Sequence, residues 1–143
     1  MTKPILLISA LGLLTVSSVS IAQKTAVSVA ISPLTYADIA DLSLASSIAA
    51  EIRIRSAETI KGALAAGVPP SQQRYVITAD VVRLIRGQDG LAPRITYVFD
   101  ALRDSRGQLP KLKKAQMILF AVPVSGRPAE VRLIAPDAQI PLT

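Results

Sequence analysis

Apolar and charged side chains alternate over residues 50–55, in a segment whose apolar face begins at Ile48, and this alternation constrains the fold more than any other feature of the chain. A period of two is that of a β-strand with one buried face and one exposed face. A slip of one residue would bury Arg53 and expose Ile54, so we expect the register to be firm. The apolar face consists of Ile48, Ala50, Ile52 and Ile54, and the charged face of Glu51, Arg53 and Arg55.

Four further segments have the pattern of strands, with turns rich in glycine and proline between them. Apolar residues alternate over much of 74–85 and over 94–100, run continuously through 116–122 as in a central strand, and alternate again over 130–135. Such strands predict a mainly β domain, folded as a small five-stranded antiparallel barrel or curled sheet. The expected inward set is Ile48, Ile52, Ile54, Tyr75, Ile77, Val81, Ile95, Tyr97, Ile118 and Phe120.

One short helix is expected over 36–44, packed against one end of the barrel or plugging it. Thr35 is placed to cap its first turn, and Asp38, three residues later, is placed to bond back to the backbone of Thr35. Residues 61–70 are expected to form a bend and then a loop, with a helical turn over 59–65 as the alternative because alanine and leucine favour it.

The N-terminus has the three zones of a secretory signal peptide. Lys3 is positive, residues 4–16 are almost wholly apolar, and small residues lead up to Ala22. The apolar zone is shorter than the roughly 20 residues that a membrane-spanning helix needs. We therefore expect cleavage after Ala22, with Ser20 as the alternative. The predicted organisation is a signal peptide over 1–22, a flexible lead-in over 23–34 and a single β-rich domain over 35–143, in a periplasmic or secreted protein.

The chain has no cysteine and no histidine, which excludes several kinds of chemistry. Disulfides, zinc–thiolate sites, thiol nucleophiles and imidazole catalysis all require one of these side chains. The glycines at 87 and 90 lack the following lysine and helix of a phosphate-binding loop. We therefore predict no catalytic residues, no metal site and no cofactor. A hydrolase with an unrecognised site is kept as an alternative.

Residues 103–114 form a polar loop in which five cations are opposed by Asp104 alone. Such a cluster can bind the phosphates of lipid or nucleic acid. Nucleic acid is not the expected partner, because its binding uses aromatic side chains beside the charge and this chain has few. The alternative is a solvated loop whose lysines prevent edge-to-edge pairing of the sheet. The candidate polyanion-binding residues are Arg103, Arg106, Lys111, Lys113 and Lys114.

Two segments carry a resemblance to a known fold. Residues 80–87 form a strand that ends in a basic turn with glycine, and residues 112–120 form a turn that leads into an apolar strand. Over residues 36–122 this arrangement resembles the netrin-like modules related to the tissue inhibitors of metalloproteinases, which implies a five-stranded barrel of the OB type. Those inhibitors act through an N-terminal cysteine, so in this chain the resemblance implies the fold and not the inhibition.

The chain also resembles exported bacterial proteins with no assigned activity, through residues 36–42, 110–115 and 136–141. Such proteins continue beyond the position of Thr143. The sequence thus predicts a non-catalytic binding or accessory module of the periplasm, which does not span the membrane after signal cleavage. Its expected partner is another envelope protein or anionic lipid. The first alternative is an envelope-surface binder of anionic lipid or lipopolysaccharide through the 103–114 loop.

Overall fold

The computed structural model describes residues 33–87 and 91–142. The predicted signal peptide at 1–22, the lead-in residues 23–32 and the turn residues 88–90 therefore lie outside the described residues. A short 3-10 helix occupies Gly62–Ala65, so the helical turn considered for that region is present. The other elements are α1 (Tyr36–Ala45), β1 (Ile48–Thr59), β2 (Gln72–Arg86), β3 (Arg94–Leu102), β4 (Gln116–Val124), β5 (Arg127–Leu133) and β6 (Gln139–Pro141).

Five strands close into a barrel in the order β1, β2, β3, β5, β4 and back to β1. The pairs are antiparallel except for β3 with β5, which run parallel with Thr96 opposite Glu130. β1 pairs with β2 along most of its length and closes the barrel by pairing with β4 over residues 48–53. β6 adds a sixth strand against residues 117–119 of β4. The predicted mainly β fold and the small OB-like barrel are confirmed.

The barrel interior is filled from β1, β2 and β3 as the alternation predicted. Tyr97 of β3 lies among these residues, and burial raises the pKa of its hydroxyl far above the ordinary value. The hydroxyl donates a hydrogen bond to Oε1 of Gln139, which is also buried, so β3 is joined to β6 across the core. Predicted core residues that are buried here are Ile48, Ile52, Ile54, Tyr75, Ile77, Ile95 and Tyr97, while Val81 is half-buried at the margin.

The predicted orientation of β4 is wrong. Met117, Leu119 and Ala121 point into the barrel, whereas Ile118 and Phe120, which were expected inside, lie on the other face of the strand. Both faces of β4 are covered, and for that reason a continuous apolar run carries no information about which face is inward.

Helix α1 covers the outer wall of the barrel and does not plug an end. Leu42 packs with Ala49 of β1, Phe120 of β4 and Ala138. The predicted cap is confirmed, since the backbone N–H of Asp38 donates to Oγ1 of Thr35 at 3.3 Å and the Thr35 N–H donates to the Asp38 carboxylate at 2.7 Å. At the C-terminal end of α1, the Arg86 guanidinium donates to the backbone carbonyls of Ser43 and Ser46. This positive charge interacts favourably with the negative end of the helix dipole.

The C-terminal strands differ from the prediction. The expected strand over 130–135 is in fact β5, which begins at Arg127 and ends at Leu133, and β6 was not predicted. β5 thus includes Pro128, because a proline is tolerated near the start of a strand, where its missing N–H is not needed as a donor to the next strand. Its carbonyl accepts a hydrogen bond from Ala92.

β-Bulges shape the β1–β2 pair. The pairing skips Val82 and Ile85 in β2, and both side chains are about half exposed, at 49% and 51%. It also skips Arg55 in β1, between the pairs formed by Ile54 and Ser56. A bulge re-aims the side chain of its extra residue. The apolar end of β2 is thus largely solvent-exposed rather than part of the core.

Candidate anion-binding surface

The 103–114 loop begins with a tight turn built around Asp104. The carboxylate of Asp104 accepts hydrogen bonds from the backbone N–H groups of Arg106 and Gln108, each at 2.8 Å. Gly107 completes the turn with φ of 74°, a backbone conformation that glycine adopts without strain. The one acidic side chain of the loop is therefore used to shape its backbone.

The structure separates the two arginines of the loop by role. Arg103 is half-buried and donates to the carbonyl of Gly107 at 3.2 Å and to Oε1 of Gln73 at 3.5 Å, so it braces the loop against β2. The Arg106 side chain is exposed and makes no hydrogen bond or ion pair with a described residue. Of the two, only Arg106 presents its guanidinium freely.

The three lysines surround a buried anchor. Leu112 is 6% exposed and packs in the barrel core, whereas Lys111, Lys113 and Lys114 are exposed. None of the three forms an ion pair with any residue that the structure describes. The Lys114 N–H donates to the carbonyl of Ile54 at 2.8 Å, which ties this part of the loop to β1. The buried Leu112 and the hydrogen bond to Ile54 thus fix the backbone of the loop, and the three lysine side chains lie on the surface.

A transverse row of side chains crosses the outer wall beside Lys114. Arg94 of β3 lies opposite Asp80 of β2, Asp80 lies opposite Arg53 of β1, and Arg53 lies opposite Gln116 of β4. The neighbours of these residues along each strand point into the core, so the row itself faces outward. Four strands that are distant in sequence therefore contribute to one strip of surface.

Asp80 holds two arginines in this strip. Its Oδ1 accepts from Nε of Arg94 at 2.9 Å, and its Oδ2 accepts from Nε of Arg55 at 2.6 Å. The hydrogen bond from Arg94, followed by that from Arg55, lowers the pKa of the Asp80 carboxyl, although partial desolvation opposes the shift. Arg55 lies at the β-bulge of β1, between the pairs that Ile54 and Ser56 form with β2.

An open groove lies at the end of the row, lined by Arg53, Lys114, Gln116 and Leu142. The structure thus brings one of the five predicted site residues, Lys114, together with an arginine of the barrel wall. Sequence reasoning assigned Arg53 and Arg55 only to a solvent-exposed strand face and did not single out Arg94. The sequence feature that could have identified these three arginines is that each is a cation on the outward face of a predicted strand.

Within the described ranges, no group of three acidic, histidine or cysteine side chains is placed to hold a metal ion. No helix among the same residues is long and apolar enough to cross a membrane. Comparisons with protein-family models, with curated proteins and with solved structures found no match for this chain.

Proposed function

We propose that this chain is a non-catalytic binding module of the bacterial periplasm, which binds an anionic component of the cell envelope through Lys111, Lys113 and Lys114. The observation that carries the proposal is the buried side chain of Leu112 between exposed lysines. Because Leu112 is fixed in the core, the lysines on either side of it are held at defined places on the surface.

The energetics of the loop support an anionic partner. Each lysine close to an anionic membrane surface contributes about 1 kcal/mol at physiological ionic strength. Because the lysines have no acidic partner among the described residues, binding need not first break an ion pair. The one carboxylate of the loop, Asp104, accepts hydrogen bonds within its own turn. OB-type barrels often bind extended ligands on an exposed surface, an analogy that agrees with this reading.

The test reverses the charge of two loop lysines, in the variant Lys111→Glu/Lys113→Glu. We expect it to elute from heparin at lower salt than the unchanged protein and to bind anionic vesicles more weakly, because each lost phosphate contact reduces the salt dependence of binding. The matched control is Lys61→Glu/Arg132→Glu, which changes the net charge equally at two exposed positions outside the loop. If both double variants lose the same affinity for heparin and vesicles, the loss reflects net charge alone, which would contradict a dedicated site in the loop.

Export belongs to the same proposal. The signal peptide predicted over 1–22 leads us to expect that the protein recovered from periplasmic extract begins at Gln23. Intact mass and N-terminal sequencing measure this directly. Recovery of the full-length chain in the inner membrane fraction would contradict export by a cleaved signal.

A further inference from the structure

We propose that the groove and the adjoining row form a binding site for a phosphate group, in which Arg53 and Lys114 bind the anion and Arg55 and Arg94 complete its cationic surroundings. The site deepens the function proposed above and rests on it, since it supplies the specific contact within a generally anion-attracting surface. It lies on the barrel wall and includes only Lys114 of the 103–114 loop.

The first argument is preorganisation by Asp80. Arg55 and Arg94 each bind the Asp80 carboxylate through Nε alone, and no described residue accepts a hydrogen bond from their Nη groups. Asp80 therefore orients two guanidinium groups while leaving their terminal N–H donors free. An arginine held in place loses less conformational entropy when it binds an anion.

The second argument is the pair of cations without partners in the groove. Arg53 is exposed and makes no hydrogen bond or ion pair with any residue in the described ranges, although it lies directly opposite Asp80 in the β1–β2 pairing. Each oxygen of the Asp80 carboxylate already accepts a hydrogen bond from another arginine, Oδ2 from Arg55 and Oδ1 from Arg94. Arg53 and Lys114 thus line the same groove with their charges unmatched.

The third argument is the backbone of Lys114. Its φ of 68° lies in the left-handed region, and it is the one non-glycine residue among those described that has a positive φ. This conformation costs a side-chain-bearing residue roughly 1–2 kcal/mol, and glycine would adopt it freely. A strained lysine kept where glycine is easier agrees with a role for its ammonium group.

The composition of the site favours phosphate. Among the described residues of the groove and the row, Arg53, Arg55, Arg94 and Lys114 carry positive charge and Asp80 carries negative charge, so the two together have an excess of positive charge. A phosphate group has several acceptor oxygens and suits the forked donors of arginine. The side-chain amide of Gln116 adds a further donor, and Leu142, which is 40% exposed, gives one apolar wall beside it. A phosphate attached to an apolar group, as in a phospholipid headgroup, meets both features.

The experiment uses the mature protein with two probes, inorganic phosphate and vesicles of phosphatidylglycerol in phosphatidylcholine. Phosphate binding is followed by NMR at the arginine Nε–H signals, and vesicle binding by flotation. We expect Arg53→Gln and Lys114→Gly each to lower the affinity roughly tenfold, the typical effect of one charge-assisted hydrogen bond. The matched control is Arg132→Gln, an exposed strand arginine of β5 that also has no ion pair with a described residue, and it should bind unchanged.

Lys114→Gly separates binding from folding. Because glycine relieves the left-handed strain, this variant should unfold at the same or a higher urea concentration while binding more weakly. Damage to the fold would move both measurements in the same direction.

The two probes distinguish the source of the phosphate. Weakened binding of both probes supports recognition of the phosphate group alone, and weakened binding of vesicles only supports a lipid headgroup. If Arg53→Gln binds both probes like the unchanged protein, the groove proposal is overturned. In that case a loss in Lys111→Glu/Lys113→Glu would still support the loop function. If instead Arg53→Gln binds more weakly and Lys111→Glu/Lys113→Glu binds like the unchanged protein, the groove proposal is supported and binding through the loop lysines is contradicted.

Discussion

Ile54 and Arg53 are adjacent in β1, yet their side chains have opposite surroundings. Ile54 is 1% exposed in the barrel core, and Arg53 lies on the outer wall. Ile54→Asp should cost at least about 4 kcal/mol, because it removes a buried side chain and places an unpaired charge in the core. Stabilities of natural domains are only about 5–15 kcal/mol, so this loss removes a large part of the stability, and we expect the variant to unfold at a much lower urea concentration.

The matched change is Arg53→Gln, which should alter the unfolding free energy by no more than about 0.5 kcal/mol. Glutamine is preferable to aspartate here because a new carboxylate would face Asp80 across the strand pair. Urea unfolding followed by far-UV circular dichroism measures both variants. Similar midpoints for Ile54→Asp and Arg53→Gln would refute the register of β1.

Residue-level prediction from the sequence succeeded where one face of a strand meets water. The inward positions of Ile54, Ile77 and Tyr97 follow from alternation, because polar residues mark the other face. In β4 the alternation is absent, since α1 and its neighbours cover the outer face, and Phe120 was therefore assigned to the wrong side. The hydrogen bond between Tyr97 and Gln139 depends on a strand that the sequence pattern did not reveal.

At the scale of elements, α1 is held to the barrel by few contacts, with Leu42 its one buried residue. Its capping box should therefore matter. Thr35→Ala removes the side chain that accepts from the Asp38 N–H and should destabilise the helix by about 1 kcal/mol. We expect hydrogen exchange of the α1 amides to become about fivefold faster, with barrel amides unchanged.

Thr35→Ser is the control for this prediction, because it keeps the hydroxyl and should retain the protection of α1. Hydrogen exchange read residue by residue distinguishes local opening of the helix from global unfolding. Faster exchange throughout β1–β3 in Thr35→Ala would show that α1 and the barrel unfold as one unit, against this expectation.

The candidate site was accessible from the sequence only in part, and the reason lies in how the elements pair. The lysines at 111, 113 and 114 are close in the chain, so their cluster is visible directly. Arg53 and Arg94 become neighbours of Asp80 only through the registers of β1 with β2 and of β2 with β3. A single sequence indicates which residues of each strand face outward, but not which residues lie opposite each other in neighbouring strands.

β6, with three residues including Pro141, is too short for any period to appear.

At the scale of the whole molecule, surface carboxylates link stability to pH. Hydrogen bonds from Thr35, Arg94 and Arg74 lower the pKa values of Asp38, Asp80 and Asp100 respectively. A lowered pKa in the folded state adds stability above the unfolded value, about 3.9 for aspartate, and this stability is lost as the pH falls through the folded pKa. We therefore expect the melting temperature to fall as the pH is taken below about 4.

Asp100 offers a direct measurement of this linkage. Its carboxylate accepts from Nε and Nη2 of Arg74, each at 2.8 Å. Asp100→Asn should flatten the acid side of the melting-temperature profile, because it removes a carboxyl whose pKa the hydrogen bond from Arg74 lowers. Profiles of equal steepness in Asp100→Asn and the unchanged protein would exclude the Arg74–Asp100 pair as a source of the acid dependence.

The pairing of β1 with β4 has a consequence for the kinetics of folding. β1, β2 and β3 are consecutive and can pair as hairpins, but the barrel closes only when residues 48–53 meet residues 116–121. Ordering so long an intervening chain costs entropy before the contact is made, and folds dominated by such distant pairings typically take milliseconds to seconds. Until β1 pairs with β4, β1 keeps an open edge that can pair with another chain. The rate at which β1 pairs with β4 therefore sets how long each folding molecule is exposed to aggregation.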